Sequence, residues 1–162
     1  MCAHIPDGIV SGGQTGADRA GLQAAIELGL SHGGWCPKGR RAEDGRVPIR
    51  FELNETPSEE YSLRTKWNVR DSDATVLFTR GAPTGGSALT KRLAEGLKRP
   101  VLHLDLSRLS ASSAASELRR FLSLHRPRIL NVAGSRESQA PGIQAEAKAV
   151  ILLTLDGEDR LS

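Results

Sequence analysis

Ten residues near the start of the chain, Ile9-Val10-Ser11-Gly12-Gly13-Gln14-Thr15-Gly16-Ala17-Asp18, constrain its fold more than any others. Two β-branched residues lead into a glycine-rich turn. Ala17, Ala20, Gly21, Ala24, Ala25 and Leu28 then recur at three- and four-residue spacing, the mark of an amphipathic helix. The stretch predicts a strand, a tight turn and a helix that ends near Gly29. Glycines let a backbone approach a ligand closely, and the first turn of a helix presents unpaired N–H groups with partial positive charge, so such a junction suits a phosphate. Against the dinucleotide fingerprint G-x-G-x-x-G, Ser11 stands where the first glycine should be, with Gly13 and Gly16 in the other two places. No Gly-Lys-Ser/Thr follows, as it would in a Walker A loop. A purely local reading is that Thr15 caps the helix and Asp18 completes a T-x-x-D box; capping and ligand binding are compatible.

The same arrangement recurs downstream. After a brief strand within His32–Cys36 comes a long irregular segment, Pro37 to Pro57, carrying Lys38, Arg40, Arg41, Arg46 and Arg50; its prolines and glycines rule out one continuous helix. A helical pattern from Glu59 to Val69 pairs Leu63 with Trp67 and places Arg64, Asn68 and Asp71 on another face, a polar strip able to look into a cleft. Ala74–Thr79 is an apolar run typical of a buried parallel strand. It feeds Thr84-Gly85-Gly86-Ser87 and a helix with Leu89, Leu93 and Leu97 in register. Pro100–Leu104 is a fourth strand, followed by a helix that Pro127 stops. Ile129–Ala133 is a fifth, ending in Gly134-Ser135-Arg136-Glu137-Ser138. Pro141 then opens a final helix that buries Ile143, Ala147, Val150, Ile151 and Thr154. Alternating strands and helices imply parallel pairing: a doubly wound α/β domain, with a mainly parallel sheet and helices on both faces. The turns after the first, third and fifth strands then leave the same carboxyl edge, where such sheets bind ligands. Each helix terminus attracts an anion by ~0.3 to 1 kcal/mol. Converging termini with Lys38 or Arg136 would hold a small anion, with phosphate or sulfate able to occupy the site.

Composition narrows the function further. At 162 residues the chain is expected to be one domain, with short tails at 1–7 and 156–162, the latter fraying. Cys2 and Cys36 form neither a C-x-x-C pair nor a zinc pattern, which points to a reducing cytoplasm. No apolar run approaches the ~20 residues of a membrane helix. A net charge of +3 with 4% aromatic residues argues against a nucleic-acid surface.

Six blocks in order, Ser11–Arg19, Gly33–Arg40, Ala42–Gly45, Arg64–Asp73, Thr84–Ser87 and Asn131–Ser138, together resemble the proteins described as molybdenum cofactor carriers. The resemblance spans Gly8 to about Ile151. It implies a Rossmann-like fold of the superfamily that includes the lysine-decarboxylase-like proteins and DNA-processing protein A. It implies a non-catalytic protein that binds and protects molybdenum cofactor, a phosphorylated pterin holding molybdenum on a dithiolene, until a molybdoenzyme takes it. It also implies a homo-oligomer, tetramer or dimer. Motif and resemblance together nominate Gly12, Gly13, Gln14, Thr15, Gly16, Lys38, Arg64, Asn68, Thr84, Gly85, Gly86, Ser87, Ser135, Arg136, Glu137 and Ser138 as ligand-binding residues. No catalytic residue is nominated, and Cys36 is read as a buried thiol.

Three other functions use the same turns. Phosphoribohydrolases of the superfamily, which cleave nucleoside 5′-monophosphates, carry P-G-G-x-G-T-x-x-E. Here threonine replaces the proline, Ala88-Leu89 replaces Gly-Thr, and Thr90-Lys91 stands near where the acid is expected. Without that carboxylate the charged sugar of the transition state lacks its stabiliser, and Glu137 beside Arg136 is read as an ion pair shaping the third turn. The others are a nucleotide-sensing module and a DNA-binding protein; the latter would require an extended basic surface, which the arginines of residues 40 to 50 offer, but scant aromatics and modest charge argue against it.

Overall fold

In the computed structural model, which describes residues 4–156, β1 (Gly8–Val10) leads through the glycine turn into α1 (Ala17–Leu28) and β2 (Ser31–Gly33). Short strands β3 (Trp35–Cys36), β4 (Arg41–Ala42), β5 (Gly45–Arg46) and β6 (Asn54–Glu55) follow, then α2 (Tyr61–Arg70). The remainder alternates: β7 (Ala74–Thr79), α3 (Gly85–Gly96), β8 (Val101–Asp105), α4 (Ala111–His125), β9 (Ile129–Gly134) and α5 (Ile143–Asp156). Five strands form one sheet in the order β2-β1-β9-β7-β8, every neighbouring pair parallel. Helices α1, α4 and α5 pack together on one face and α2 with α3 on the other, so the doubly wound α/β expectation holds.

The core follows from the sequence pattern. Ile9, Val76, Phe78, Leu104, Leu130 and Val132 are fully buried along the central strands, as continuous apolar runs in a two-sided parallel sheet should be. α1 meets them with Ala17, Ala20 and Ala24, and Gly29 closes it in the left-handed region at φ 71°. α5 buries Ile143, Ala147, Val150, Ile151 and Thr154 as expected. α3 departs from expectation. Its buried row is Ser87, Thr90 and Ala94, and Leu97 is half exposed; small residues on the inner row let the helix lie close to the sheet.

The connection from β1 runs outward to β2, and the one from β7 runs outward the other way to β8. β9 lies between β1 and β7, so the chain order reverses there, and the turns after β1, β9 and β7 emerge side by side.

The second predicted strand is split. Gly34 (φ 124°) ends β2, because a Cβ there would lie 2.3 Å from the Ser11 carbonyl oxygen, and β3 leaves the sheet to pair with β6. Residues 37–57 are not irregular either. β4 and β5 form a hairpin, and Cys36, Ala42, Val47 and Phe51 make a small second core with Leu22 of α1. Its polar centre is Arg40, which is buried and donates from Nε to the Val47 carbonyl (3.1 Å) and from Nη2 to those of Pro48 and Phe51 (2.7 Å each). At the N-terminal end, Asp7 N–H donates to the Arg128 carbonyl (2.8 Å) and His4 Nε2 lies 2.8 Å from the Pro127 carbonyl oxygen. Residues 4–7 are therefore tied to the start of β9. Residues 1–3 and the predicted acidic tail from 157 onward lie outside the described residues.

Arg40→Ala would leave the Val47 carbonyl without a donor and take one of two donors from each of the Pro48 and Phe51 carbonyls, which keep the Phe51 and Leu53 N–H groups. With hydrogen bonds to charged groups worth about 1.5–3 kcal/mol each, a loss of roughly 2–4 kcal/mol in urea denaturation is expected. Amide exchange should rise first in residues 41–53, while the exchange of β7 and β9 follows global unfolding.

Candidate anion-binding cleft

A cleft of about 440 Å³ opens at the carboxyl edge where the three turns meet. The turn after β1 contributes Gln14 with Asp18, the turn after β7 Thr84 to Ser87, and the turn after β9 Gly134 and Arg136. Tyr61, Arg64 and Thr65 of α2 and Leu89, Thr90 and Arg92 of α3 complete the wall.

The first turn has already spent most of the donors that its glycines suggest. Gly13 N–H donates to Ser11 Oγ (3.3 Å), Gln14 N–H to Asp18 Oδ2 (3.2 Å), Thr15 N–H to Gln14 Oε1 (3.1 Å) and Gly16 N–H to Gln144 Oε1 (2.9 Å). Ala17 N–H donates to the Ser135 carbonyl (3.1 Å). The T-x-x-D box is absent; Gly16 is the N-cap, and the Thr15 hydroxyl donates to Glu43 instead. The glycines have internal reasons. A Cβ on Gly12 would overlap Arg64 Nη1 at 1.9 Å, one on Gly13 (φ 78°) would meet Leu53 and Val47, and one on Gly16 (φ 84°) would strike the Ser135 carbonyl oxygen at 2.2 Å. Gly12 makes room for a guanidinium, Gly13 for the small core, and Gly16 for the turn after β9.

Arg64 crosses over Gly12 to reach Asp18, with Nη1 2.9 Å from Oδ2 and both side chains nearly closed off from solvent. Burial pushes the Asp18 carboxyl above its ordinary range, outweighing the pull of Arg64 and of the Gln14 N–H in the other direction. Gln14 is 4% exposed. Its Oε1 accepts from Thr15 N–H and Glu43 N–H (2.8 Å), which fixes the amide orientation and leaves Nε2 with no partner among the described residues.

The turn after β7 is the open one. Thr84 N–H donates to Ser87 Oγ and Ser87 N–H to the Thr84 carbonyl, both at 3.0 Å. The N–H groups of Gly85 and Gly86 have no acceptor among the described residues. A Cβ on either glycine would meet nothing within 4 Å. These are the unspent amides of a twelve-residue helix, and they face the cleft.

The turn after β9 is built from its own side chains. Glu137 makes no ion pair with Arg136; its carboxylate accepts from Gly142 N–H (2.6 Å) and Gln144 N–H (3.0 Å), capping α5. Ser138 donates from Oγ (2.5 Å) and N (3.3 Å) to Glu43, which also accepts from Thr15, so one loop carboxylate staples the first and third turns together. Of the other nominated residues, Asn68 is buried and exchanges hydrogen bonds with the Trp35 backbone. Lys38 is exposed in the loop and lines no part of the cleft. Within the predicted polar strip only Arg64 reaches the cleft, since Asp71 accepts from Trp35 Nε1 (2.8 Å) and pairs with Arg70.

Two residues join the site that the sequence reading missed. The ring of Tyr61 has three guanidinium carbons around its centroid, from Arg136 (4.8 Å), Arg41 (5.0 Å) and Arg64 (5.6 Å). The available signal was its spacing, one helical turn before Arg64. Arg92 is the other. Counted from Thr84, it stands where the phosphoribohydrolase signature carries its glutamate. Among the described residues, no group of three or more His, Cys, Asp or Glu is placed to hold a metal ion, and no helix is long and apolar enough to cross a membrane.

The chain matches the model of the circularly permutated YpsA SLOG family over residues 9–155. A crystal structure of a "putative molybdenum carrier protein" from Syntrophus aciditrophicus SB is 45% identical and superposes with a TM-score of 0.90, covering 94% of this chain and 96% of that one. No curated protein matches the chain.

The staple predicts a pH dependence. Burial raises the Glu43 pKa, but hydrogen bonds from Ser138 and Thr15 and the nearby charge of Arg136 hold it below its ordinary 4.5. A lowered folded pKa makes the contribution complete above that value and removes it as pH falls through the folded one. The stability difference between wild type and Glu43→Gln, measured by urea denaturation, should be constant near neutrality and shrink below about pH 4. A difference that does not change with pH would exclude the ionised staple.

Proposed function

The chain belongs to the circularly permutated YpsA SLOG family, and on that premise we propose that its cleft binds and protects molybdenum cofactor for transfer to an apoenzyme, without catalysing a reaction. One observation carries the reading. The Gly85 and Gly86 amides are without acceptors at the head of α3, in a cleft rimmed by Arg64, Arg92 and Arg136 whose one carboxylate, Asp18, is already paired. That donor set fits a phosphomonoester dianion. The two amides and one guanidinium, at about 1.5–3 kcal/mol for each charge-assisted hydrogen bond, approach the roughly 8 kcal/mol of micromolar affinity. Contacts to a flat ring beside Tyr61 then offset part of the cost of fixing the ligand. Gln14 Nε2, buried in the same wall with its orientation set, favours a ligand that supplies an acceptor there. The molybdenum arrives on its own dithiolene, so the cargo asks no metal ligand of the protein.

The absence of catalysis is argued from chemistry. Cleavage of a nucleoside 5′-monophosphate needs a carboxylate beside the developing sugar cation, and the signature position for that group carries the guanidinium of Arg92. Asp18 is no substitute, since Oδ2 is held by Arg64 and by the Gln14 N–H. The same amides would also accept a nucleotide, which makes a nucleotide-sensing module the second reading.

Calorimetry separates these. Molybdenum cofactor should bind more tightly than adenosine or guanosine monophosphate and far more tightly than molybdate, and adenosine monophosphate should release no adenine; a preference for nucleotides would support the sensing module. Gly86→Glu places a carboxylate beside the open amides, in a conformation any residue adopts. It should leave thermal stability unchanged or slightly raised and weaken cofactor binding at least about tenfold.

A further inference from the structure

We propose that the cleft takes a ligand with two anionic groups, and that Arg136 and Arg41, gathered on the ring of Tyr61, form the second of two anion subsites. The inference rests on the reading of the α3 amides as the first.

The convergence is not a by-product of one helix's periodicity. Arg41 comes from the loop hairpin, Tyr61 opens α2, and Arg136 comes from the turn after β9, yet both guanidinium carbons lie within 5.0 Å of one ring centroid, with Arg64 at 5.6 Å. Like charges brought together repel, and a cation–π contact at a half-exposed ring compensates only weakly. Arg64 has Asp18. Among the described residues, Arg136 donates to no acceptor, and Arg41 makes a single long bond of 3.4 Å to the Glu59 carbonyl. The Glu43 carboxylate feels the charge of Arg136 but gives both oxygens to Thr15 and Ser138. Two guanidinium forks with unspent donors therefore meet on Tyr61, Arg136 within the lining of the cleft and Arg41 just beyond it, and the same cleft carries the unspent amides of α3. Planar forks of this kind recognise oxyanions with two hydrogen bonds at once.

A ligand that satisfies both subsites carries a phosphate and a second oxyanion, with a flat ring beside them to lie along Tyr61. The second oxyanion is either the oxygen-bearing metal end of the molybdenum cofactor or the second phosphate of a nucleotide. The shared chemistry is a second negative group, and two ratios distinguish the sources.

The experiment measures affinities of the full chain for molybdenum cofactor against metal-free molybdopterin, and for adenosine diphosphate against adenosine monophosphate. In the wild type, one of the ligands with the second anionic group should bind about tenfold more tightly than its partner without it, the equivalent of one charge-assisted contact. Arg136→Ala should bring that ratio close to one, and the exposed Arg41→Ala, whose fold is not at risk, should lower it. Tyr61→Phe should preserve the ratio and Tyr61→Leu reduce it, since the ring and not the hydroxyl gathers the arginines. A ratio lost in the cofactor pair identifies the metal end as the second oxyanion, and one lost in the nucleotide pair identifies a second phosphate. Wild-type ratios near one with binding intact, or arginine variants that weaken both members of a pair equally, overturn the second subsite and leave the first standing. A chain that binds none of the four ligands overturns both.

Discussion

The cleft is organised by the ion pair between Arg64 and Asp18. It joins α2 on one face of the sheet to α1 on the other across the floor of the cleft, and it passes over Gly12 because that residue has no side chain. Taking two charges out of water is costly, and such a pair contributes more to positioning than to net stability; removing one partner costs roughly 3–5 kcal/mol because the other is left buried and uncompensated. The positioning decides where an anion can go. Asp18 sits in the first turn of α1 and accepts from the Gln14 N–H, two residues before the N-cap, so this terminus already has its negative charge. The matching terminus of α3 carries no acid in its first turn, and its amides remain to be satisfied from outside.

This division explains which parts of the structure were legible in the sequence. The sheet, its helices and the shared edge follow from apolar periodicity and from glycine turns placed after alternate strands, signals that are local and repeated. Convergence of those turns on one cleft was likewise readable, because parallel topology forces it. The role of the first turn was not. Ser-Gly-Gly-Gln-Thr-Gly has the composition of a phosphate loop, but composition does not say that Asp18, Gln144 and the Ser135 carbonyl reach its amides; two of those three lie more than a hundred residues away. Arg136 and Glu137 are adjacent and of opposite charge, yet α5 begins close enough for Glu137 to cap it. The loop from 37 to 57 was the least legible. Its strands are two residues long, and its small core depends on Leu22 from a helix elsewhere and on Arg40 binding backbone carbonyls, neither of which leaves a periodic trace.

On the proposed reading, one scaffold is shifted from chemistry to custody. A hydrolase working on this edge would hold its acid on the face of α3 that looks into the cleft. Arg92 occupies that place, and an anion that settles on Gly85 and Gly86 meets further positive charge and no proton donor poised at a glycosidic bond. What would be a reaction centre becomes a holding site through the side chains on one helical face, with the amides and the parallel sheet beneath them unchanged.

The contact between the loop and α2 has an optical side. Trp35 on β3 and Trp67 on α2 are the chain's two tryptophans, and their rings meet edge to face with centroids 4.7 Å apart. Indoles that close share their excited states, so the near-ultraviolet circular dichroism of the whole molecule reports chiefly on this one junction, six residues along α2 from Tyr61. The protein carries its own spectroscopic gauge of whether β3 is seated against α2, with no label required.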